Sequence, residues 1–300
     1  MERKLQWVEK WRPKELNDLV GIEKLNIDFS NLPNLLFSSS AGTGKTTVAK
    51  IIIRKLNANA LILNASDETS INVIRDKVKA FAMTKSTNGQ IKIVFLDEAE
   101  RLSPQAQDSL KNIIETYHGN CRFILTTNVI NKITDPIISR CRHYRFGTPP
   151  KEKILERLRY ISDQEGLDIT DELLNIIIDR NYPDIRRCVN KLEELHILGR
   201  KIVKTDIDKD RNFIELLFQK IFNGEKFPSI RQTILDSNLD YEGVLTEMYW
   251  YLMDNKPMFG TNAMNVLDKI VDCNRYIRSC VLQEIEFEYM ILEIMMILRK

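Results

Sequence analysis

The chain has 300 residues, 43% of them hydrophobic and 29% charged, a globular composition that excludes wholesale disorder and fibrous repeats. Lys and Arg number 44 against 42 Asp and Glu, so the net charge is only +2 and any polyanion site must be a local patch. The length suits about two domains, and the small stock of Gly (11) and Pro (9) implies few loops and many helices.

In chain order, the first predicted strands are Leu35-Leu36-Phe37, Leu61-Ile62-Leu63, Ile91 to Leu96 and Phe123-Ile124-Leu125, with a weaker one at Tyr144 to Phe146. Continuous apolar runs of this kind suit strands covered on both faces. Amphipathic stretches lie between them. Ile71, Ile74, Val78 and Phe81 share one helical face, as do Ala106, Leu110, Ile113 and Tyr117, and Ser103-Pro104 reads as a cap followed by Pro at the first helical position. Strands alternating with helices imply a parallel α/β sheet. The pattern breaks at Thr148-Pro149-Pro150. Residues 151–200 read as a small helical unit punctuated by Gly166 and Pro183, and 201–211 as a charged linker. From 212 onward long helical patterns dominate, including Ile214-Leu217-Phe218-Ile221 and Ile285 to Leu298. The expected domains are 1–147, 148–207 and 208–300.

No spanning segment or leader is expected. Met1-Glu2-Arg3-Lys4 opens a charged stretch, and the apolar tail Tyr289–Leu298 contains Glu293 and falls short of the roughly 20 residues a bilayer crossing needs. The five cysteines form no C-x-x-C pair, which argues against structural zinc and for a reducing compartment.

The sharpest chemical signal is Ser39-Ser40-Ala41-Gly42-Thr43-Gly44-Lys45-Thr46, set between the Leu35 strand and the helical run Val48-Ala49-Ile52-Ile53. This is the strand, glycine loop and helix of a P-loop. Small residues let backbone N–H groups turn toward phosphate oxygens, and the helix N-terminus adds a favourable dipole. Ser40, Ala41, Gly42, Thr43, Gly44, Lys45, Thr46 and Thr47 are therefore candidates to hold a nucleotide. Lys45 would reach the phosphates and Thr46 would ligate Mg²⁺. Ser39 stands where the first glycine of the motif usually lies. The partner signal is the buried run Ile93 to Leu96 ending in Asp97-Glu98, about fifty residues on. Asp97 suits the magnesium shell and Glu98 the general base that activates water. A nucleoside triphosphate and Mg²⁺ are the expected ligands, and hydrolysis the expected reaction.

With those motifs in place, the sequence resembles AAA+ sliding-clamp loaders. Asn64-Ala65-Ser66-Asp67-Glu68, Thr126-Thr127-Asn128 and Ser139-Arg140-Cys141 stand in that family's order, and Asn72 to Ala82 is similar to the replication factor C small subunit. The compact length and Ser39 also look like the ATPase subunit of T-even-type phage loaders. The resemblance implies an α/β AAA+ P-loop module with a parallel sheet, followed by an all-helical lid and an all-helical collar. It implies that the nucleotide is ATP, that Trp11-Arg12-Pro13 walls the adenine pocket, that Asn128 is the first sensor, and that Arg186, rather than Arg187, is the second. Arg140 would be an arginine finger acting in trans on a neighbour's ATP. Read without the family, Asn128 also suits a turn cap and Arg186 an exposed helix position.

Arg75 and Lys79 are four apart and project together on a helix. By pattern alone they also suit a solvated face. The resemblance makes them candidates for sequence-blind contacts to DNA backbone, with Lys111 and Lys132 as weaker candidates. The partners it implies are primer–template DNA, a ring-shaped sliding clamp, further copies of the chain and a non-identical loader subunit, with no membrane. The setting would be intracellular: the cytoplasm of an infected bacterium for a phage protein, otherwise cytoplasm or nucleus. Two rival classes fit part of the pattern. Another AAA+ DNA motor, such as a branch-migration helicase or a helicase loader, is opposed by the Asn-Ala-Ser-Asp run and Ser-Arg-Cys. A subunit that binds nucleotide without cleaving it is opposed by the intact Lys45, Asp97, Glu98 and Arg140.

Overall fold

The computed structural model describes residues 6–21, 25–66, 72, 74–86, 89–207, 209–237, 239–277 and 279–299, with the backbone alone at 74, 75, 204, 205 and 209. The chain divides into two compact units, Met1–Ile202 and Val203–Lys300.

The first unit is built on five parallel strands: β1 (Leu35–Ser38), β2 (Asn59–Asn64), β3 (Lys92–Asp97), β4 (Arg122–Thr127) and β5 (Arg142–Arg145). Their order across the sheet is β2-β3-β4-β1-β5. β1, β3 and β4 are buried nearly throughout because helices cover both faces. Alternate side chains go to opposite sides. Leu35, Phe37, Ile93, Phe95 and Ile124 pack with Val48, Ala49 and Ile52 of α1 (Lys45–Lys55). Leu36, Val94, Leu96, Phe123 and Leu125 pack with Ala106, Leu110 and Ile114 of the helix Pro104–Tyr117. The expected cap is present there, since Ser103 accepts a hydrogen bond from the Ala106 N–H at 3.2 Å. β5 differs from its expected position at Tyr144 to Phe146. As an edge strand carrying Arg142, His143 and Arg145, it is largely exposed and has no apolar run to reveal it.

The expected amphipathic helix around Ile74 is less regular than a single α-helix. Ile74–Val78 forms a π-helical turn that passes into a short α-helix, Lys79–Met83, with Val78 and Ala82 buried. Ile71 lies outside the described residues.

Three helices complete the first unit: Lys151–Glu165, Asp171–Asn181 and Ile185–His196. Gly166, in the left-handed region at φ 67°, ends the first of them. Asp184 caps the third through a hydrogen bond from the Arg187 N–H at 3.1 Å.

Residues 201–211 are not a plain linker. They contain a short helix, Lys204–Ile207, and the start of the next, Lys209–Phe222. Ile202 and Ile207 are buried apolar anchors amid the charges, and Asp206 accepts from the Val203 N–H at 2.9 Å. The second unit is helical among its described residues. Its core joins Ile214, Leu217, Phe218 and Ile221 to Met248, Tyr251, Ile270, Phe287 and Ile291, with the Phe218 and Tyr251 rings stacked at 5.4 Å. No described helix is long and apolar enough to cross a membrane.

Candidate active site

The loop between β1 and α1 turns because two glycines adopt positive φ, Gly42 at 73° and Gly44 at 97°. Gly42 is also needed for space, since a Cβ there would lie 1.8 Å from Asp184 Oδ1. The glycine loop thus closes against the N-terminus of the helix Ile185–His196. The cavity between them is lined by Trp11, Arg12, Pro13, Ala41 to Thr47, Asp97, Glu98, Asn128 and Arg186. Ser40 reaches the same centre through its carbonyl.

Lys45 is the hub. Its Nζ donates to the carbonyls of Ser39 (3.0 Å) and Ser40 (2.7 Å) and to Asn128 Oδ1 (2.8 Å). Burial drives its pKa down to about 8, against the opposing pull of Glu100 and Asp97. Thr46 Oγ1 donates to the Asp97 carboxylate at 2.9–3.0 Å. Thr126, at the end of β4 and buried, donates to Asp97 Oδ1 and accepts from the Glu98 N–H at 3.1 Å. Glu98 holds a left-handed conformation (φ 55°) that lifts its partly exposed carboxylate out of line with β3; Arg101 Nε lies 3.8 Å away.

These groups fit a magnesium nucleotide. The loop N–H groups and Lys45 suit anionic oxygens, and Thr46 with Asp97 offers the hard oxygen donors that Mg²⁺ takes in small number alongside water and phosphate. Arg12 is turned partly aside: it pairs with Glu9 and lies 3.5 Å from Thr47 Oγ1. Trp11 donates from Nε1 to Glu165 at 2.6 Å, so the N-terminal wall is fastened to the helix Lys151–Glu165. Trp7 is buried and also lines the cavity.

Arg186 faces the cavity, whereas Arg187 is largely exposed beside Asp184. Arg140 is not among the lining residues. It sits after a short helix, Asp135–Ile138, paired with Glu115 and donating to the Pro136 carbonyl at 2.6 Å.

The family model for the ATPase family associated with various cellular activities (AAA) matches residues 35–148. Replication factor C small subunit 2 of Pyrobaculum islandicum is 42% identical over 280 residues, covering 89% of this chain and 82% of that one. Replication factor C small subunit 1 of Pyrobaculum arsenaticum is 37% identical, covering 74% and 72%. The chain belongs to the replication factor C small-subunit family. The Holliday junction branch migration motor RuvB of Thermotoga maritima aligns with a TM-score of 0.55 at 18% identity, over 75% of this chain and 85% of that one, which shows a shared fold.

In this replication factor C small-subunit relative, the cationic candidates gather around the helix Pro104–Tyr117. Lys111 is on it, half-buried. Lys79 is exposed on the short helix packed against it. Lys132 is exposed in the turn Ile130–Lys132, whose carbonyl accepts from Gln107 Nε2 at 2.9 Å. The Arg75 side chain lies outside the described residues, as do Asp67 and Glu68 of the Asn64 run.

Two groups at the site escaped the sequence reading. Thr126 was visible only as part of Thr126-Thr127-Asn128. Glu100 accepts from both the N–H and Nδ2 of Asn128, at 3.1 and 3.0 Å. Its signal was a third carboxylate two residues beyond Glu98. Burial pushes the thiol of Cys141, beside Arg140, up to about 12, which disfavours its thiolate.

Proposed function

We propose that the chain is the ATPase subunit of a DNA polymerase sliding-clamp loader. The observation carrying this reading is the pair of bond sets, Lys45 with Asn128, and Thr46 and Thr126 with Asp97, in one cleft, on a chain whose relatives are replication factor C small subunits. The bound Mg·ATP supplies the transferable phosphoryl group and part of the neutralising charge. Lys45 offers its ammonium to the phosphate oxygens, and Thr46 with Asp97 holds the metal. Glu98 takes the proton of the attacking water at its carboxylate, and Asn128 orients that water. Arg186 reaches in from the lid. Arg140 serves the ATP of a neighbouring copy, a role worth about 10³–10⁵ in rate in other nucleotide hydrolases.

We read 1–147 as the nucleotide module, 148–207 as the lid and 208–300 as the collar. ATP binding at joints between copies, with a non-identical subunit included, arranges a spiral that grips an open ring clamp and primer–template DNA inside the cell. Hydrolysis dismantles the grip and leaves the clamp on DNA, so ATP acts as a switch. Arg75, Lys79, Lys111 and Lys132 contact phosphates without reading sequence. A branch-migration or helicase-loading motor is the second reading, favoured only by the likeness of fold to RuvB.

The test is ATPase activity of the chain alone, then with clamp, partner subunit and primed DNA added in turn. Turnover should rise with each addition. Co-assembled Lys45→Ala and Arg140→Ala chains should regain activity that neither has alone. No recovery would refute the trans role, and strand unwinding without a clamp would favour the second reading.

A further inference from the structure

We propose that Glu100 is a positioning residue of this site, holding Asn128 by main chain and side chain and fixing which end of its amide faces Lys45. The inference deepens the ATPase reading and rests on it for its kinetic consequence, though not for its geometry.

An amide has a donor end and an acceptor end that are nearly equal in shape, so its neighbours decide its orientation. Here both neighbours are one-sided. An ammonium only donates, and a carboxylate only accepts. Lys45 Nζ lies 2.8 Å from Asn128 Oδ1, and Glu100 Oε1 lies 3.0 Å from Asn128 Nδ2. Only one orientation satisfies both contacts. The same Oε1 accepts the Asn128 N–H at 3.1 Å, which pins the backbone at the point where β4 ends. Asn128 is thereby held at both the backbone and the side-chain end, with Oδ1 turned to Lys45 and one Nδ2 hydrogen left for the cleft.

The other carboxylate oxygen, Glu100 Oε2, is shielded from solvent and has no hydrogen-bond partner among the described residues. A shielded acceptor without a donor is costly, so stability alone does not account for a carboxylate here. The turn Ala99–Arg101 that carries Glu100 begins immediately after Glu98. Glu100 therefore links the residue assigned to proton transfer with the residue assigned to water orientation. Glutamine at 100 has the same shape and can still offer its oxygen to the Asn128 N–H, but it holds the Asn128 amide through a neutral bond instead of a charge-assisted one.

Three measurements test this. In the nucleotide-free chain with ¹⁵N-labelled asparagine, the Asn128 side-chain resonance, assigned by its loss in Asn128→Ala, should move in Glu100→Gln; an unmoved resonance overturns the proposal. In the assembled ATPase, Glu100→Gln should lower kcat by roughly 10- to 100-fold, the range of one charge-assisted hydrogen bond, with KM for ATP within about twofold. Asn128→Ala should lose a similar factor and the double variant no more than either; losses that multiply overturn it. The third is a swap read by thermal melting, which needs no activity. Asn128→Asp sets two carboxylates face to face and should melt lower, and adding Glu100→Gln should restore the melting temperature, because one of the two facing charges is then gone. A double variant no more stable than Asn128→Asp overturns the proposal. A wild-type chain with no turnover in any assembly would sink the ATPase reading but leave the resonance and melting tests intact.

Discussion

Gly42→Ala should disturb the glycine loop and the Ile185–His196 helix together. The new methyl would lie 1.8 Å from Asp184 Oδ1 and 2.2 Å from Asp184 Cγ, in a backbone held at φ 73°. The left-handed conformation costs an alanine about 1–2 kcal/mol. Asp184 must also move, giving up the 3.1 Å bond from the Arg187 N–H that caps its helix, worth about 1 kcal/mol. The expected loss is therefore about 2–3 kcal/mol. Gly166→Ala provides the control, because its φ is 67° but nothing lies within 4 Å of its Cβ, so only the backbone cost remains. Asp184→Ala alone should cost the cap, about 1 kcal/mol. The double variant Gly42→Ala/Asp184→Ala should cost no more than Gly42→Ala by itself, a coupling of about 1 kcal/mol. Urea unfolding followed by tryptophan fluorescence in a Trp250→Phe background isolates Trp7 and Trp11, both in the first unit, from the second. Losses equal to those of Gly166→Ala, or strictly additive in the double variant, would show that the loop and the helix do not meet.

Two further perturbations follow from the same geometry. Thr126→Val removes a buried hydroxyl that donates to Asp97 and accepts from the Glu98 N–H, so unfolding should cost about 1–3 kcal/mol less and ATP turnover should fall; an unchanged urea midpoint would refute the assignment. Burial pushes Cys121 up to about 11 and Cys141, Cys188 and Cys273 up to about 12. At pH 8 these four should react with iodoacetamide roughly 100-fold or more slowly in the native chain than in urea, read by peptide mass spectrometry. A folded thiol with a raised pKa keeps its proton while the unfolded one ionises. The same thiols should therefore erode stability as pH rises above the ordinary thiol value of about 8.5.

How much of this molecule is legible in its sequence depends on whether a feature is local. Leu35–Phe37 and Ile93–Leu96 announce themselves because a covered parallel strand must be apolar at every position. β5 does not, because an edge strand carrying arginines has no such obligation. The order β2-β3-β4-β1-β5 is silent as well, since parallel neighbours are joined by crossovers and leave no turn signal between adjacent strands. The site divides the same way. The glycine loop and Asp97-Glu98 are contiguous, so spacing alone reveals their chemistry. The contact of Gly42 with Asp184, and the grip of Glu100 on Asn128, exist only once the glycine loop meets the helix Ile185–His196 and the turn after β3 lies beside the end of β4. Both non-local contacts bear on groups already assigned to the nucleotide. What the fold adds to a P-loop readable from eight residues is constraint: it decides which end of an amide, and which helix terminus, the phosphates would meet.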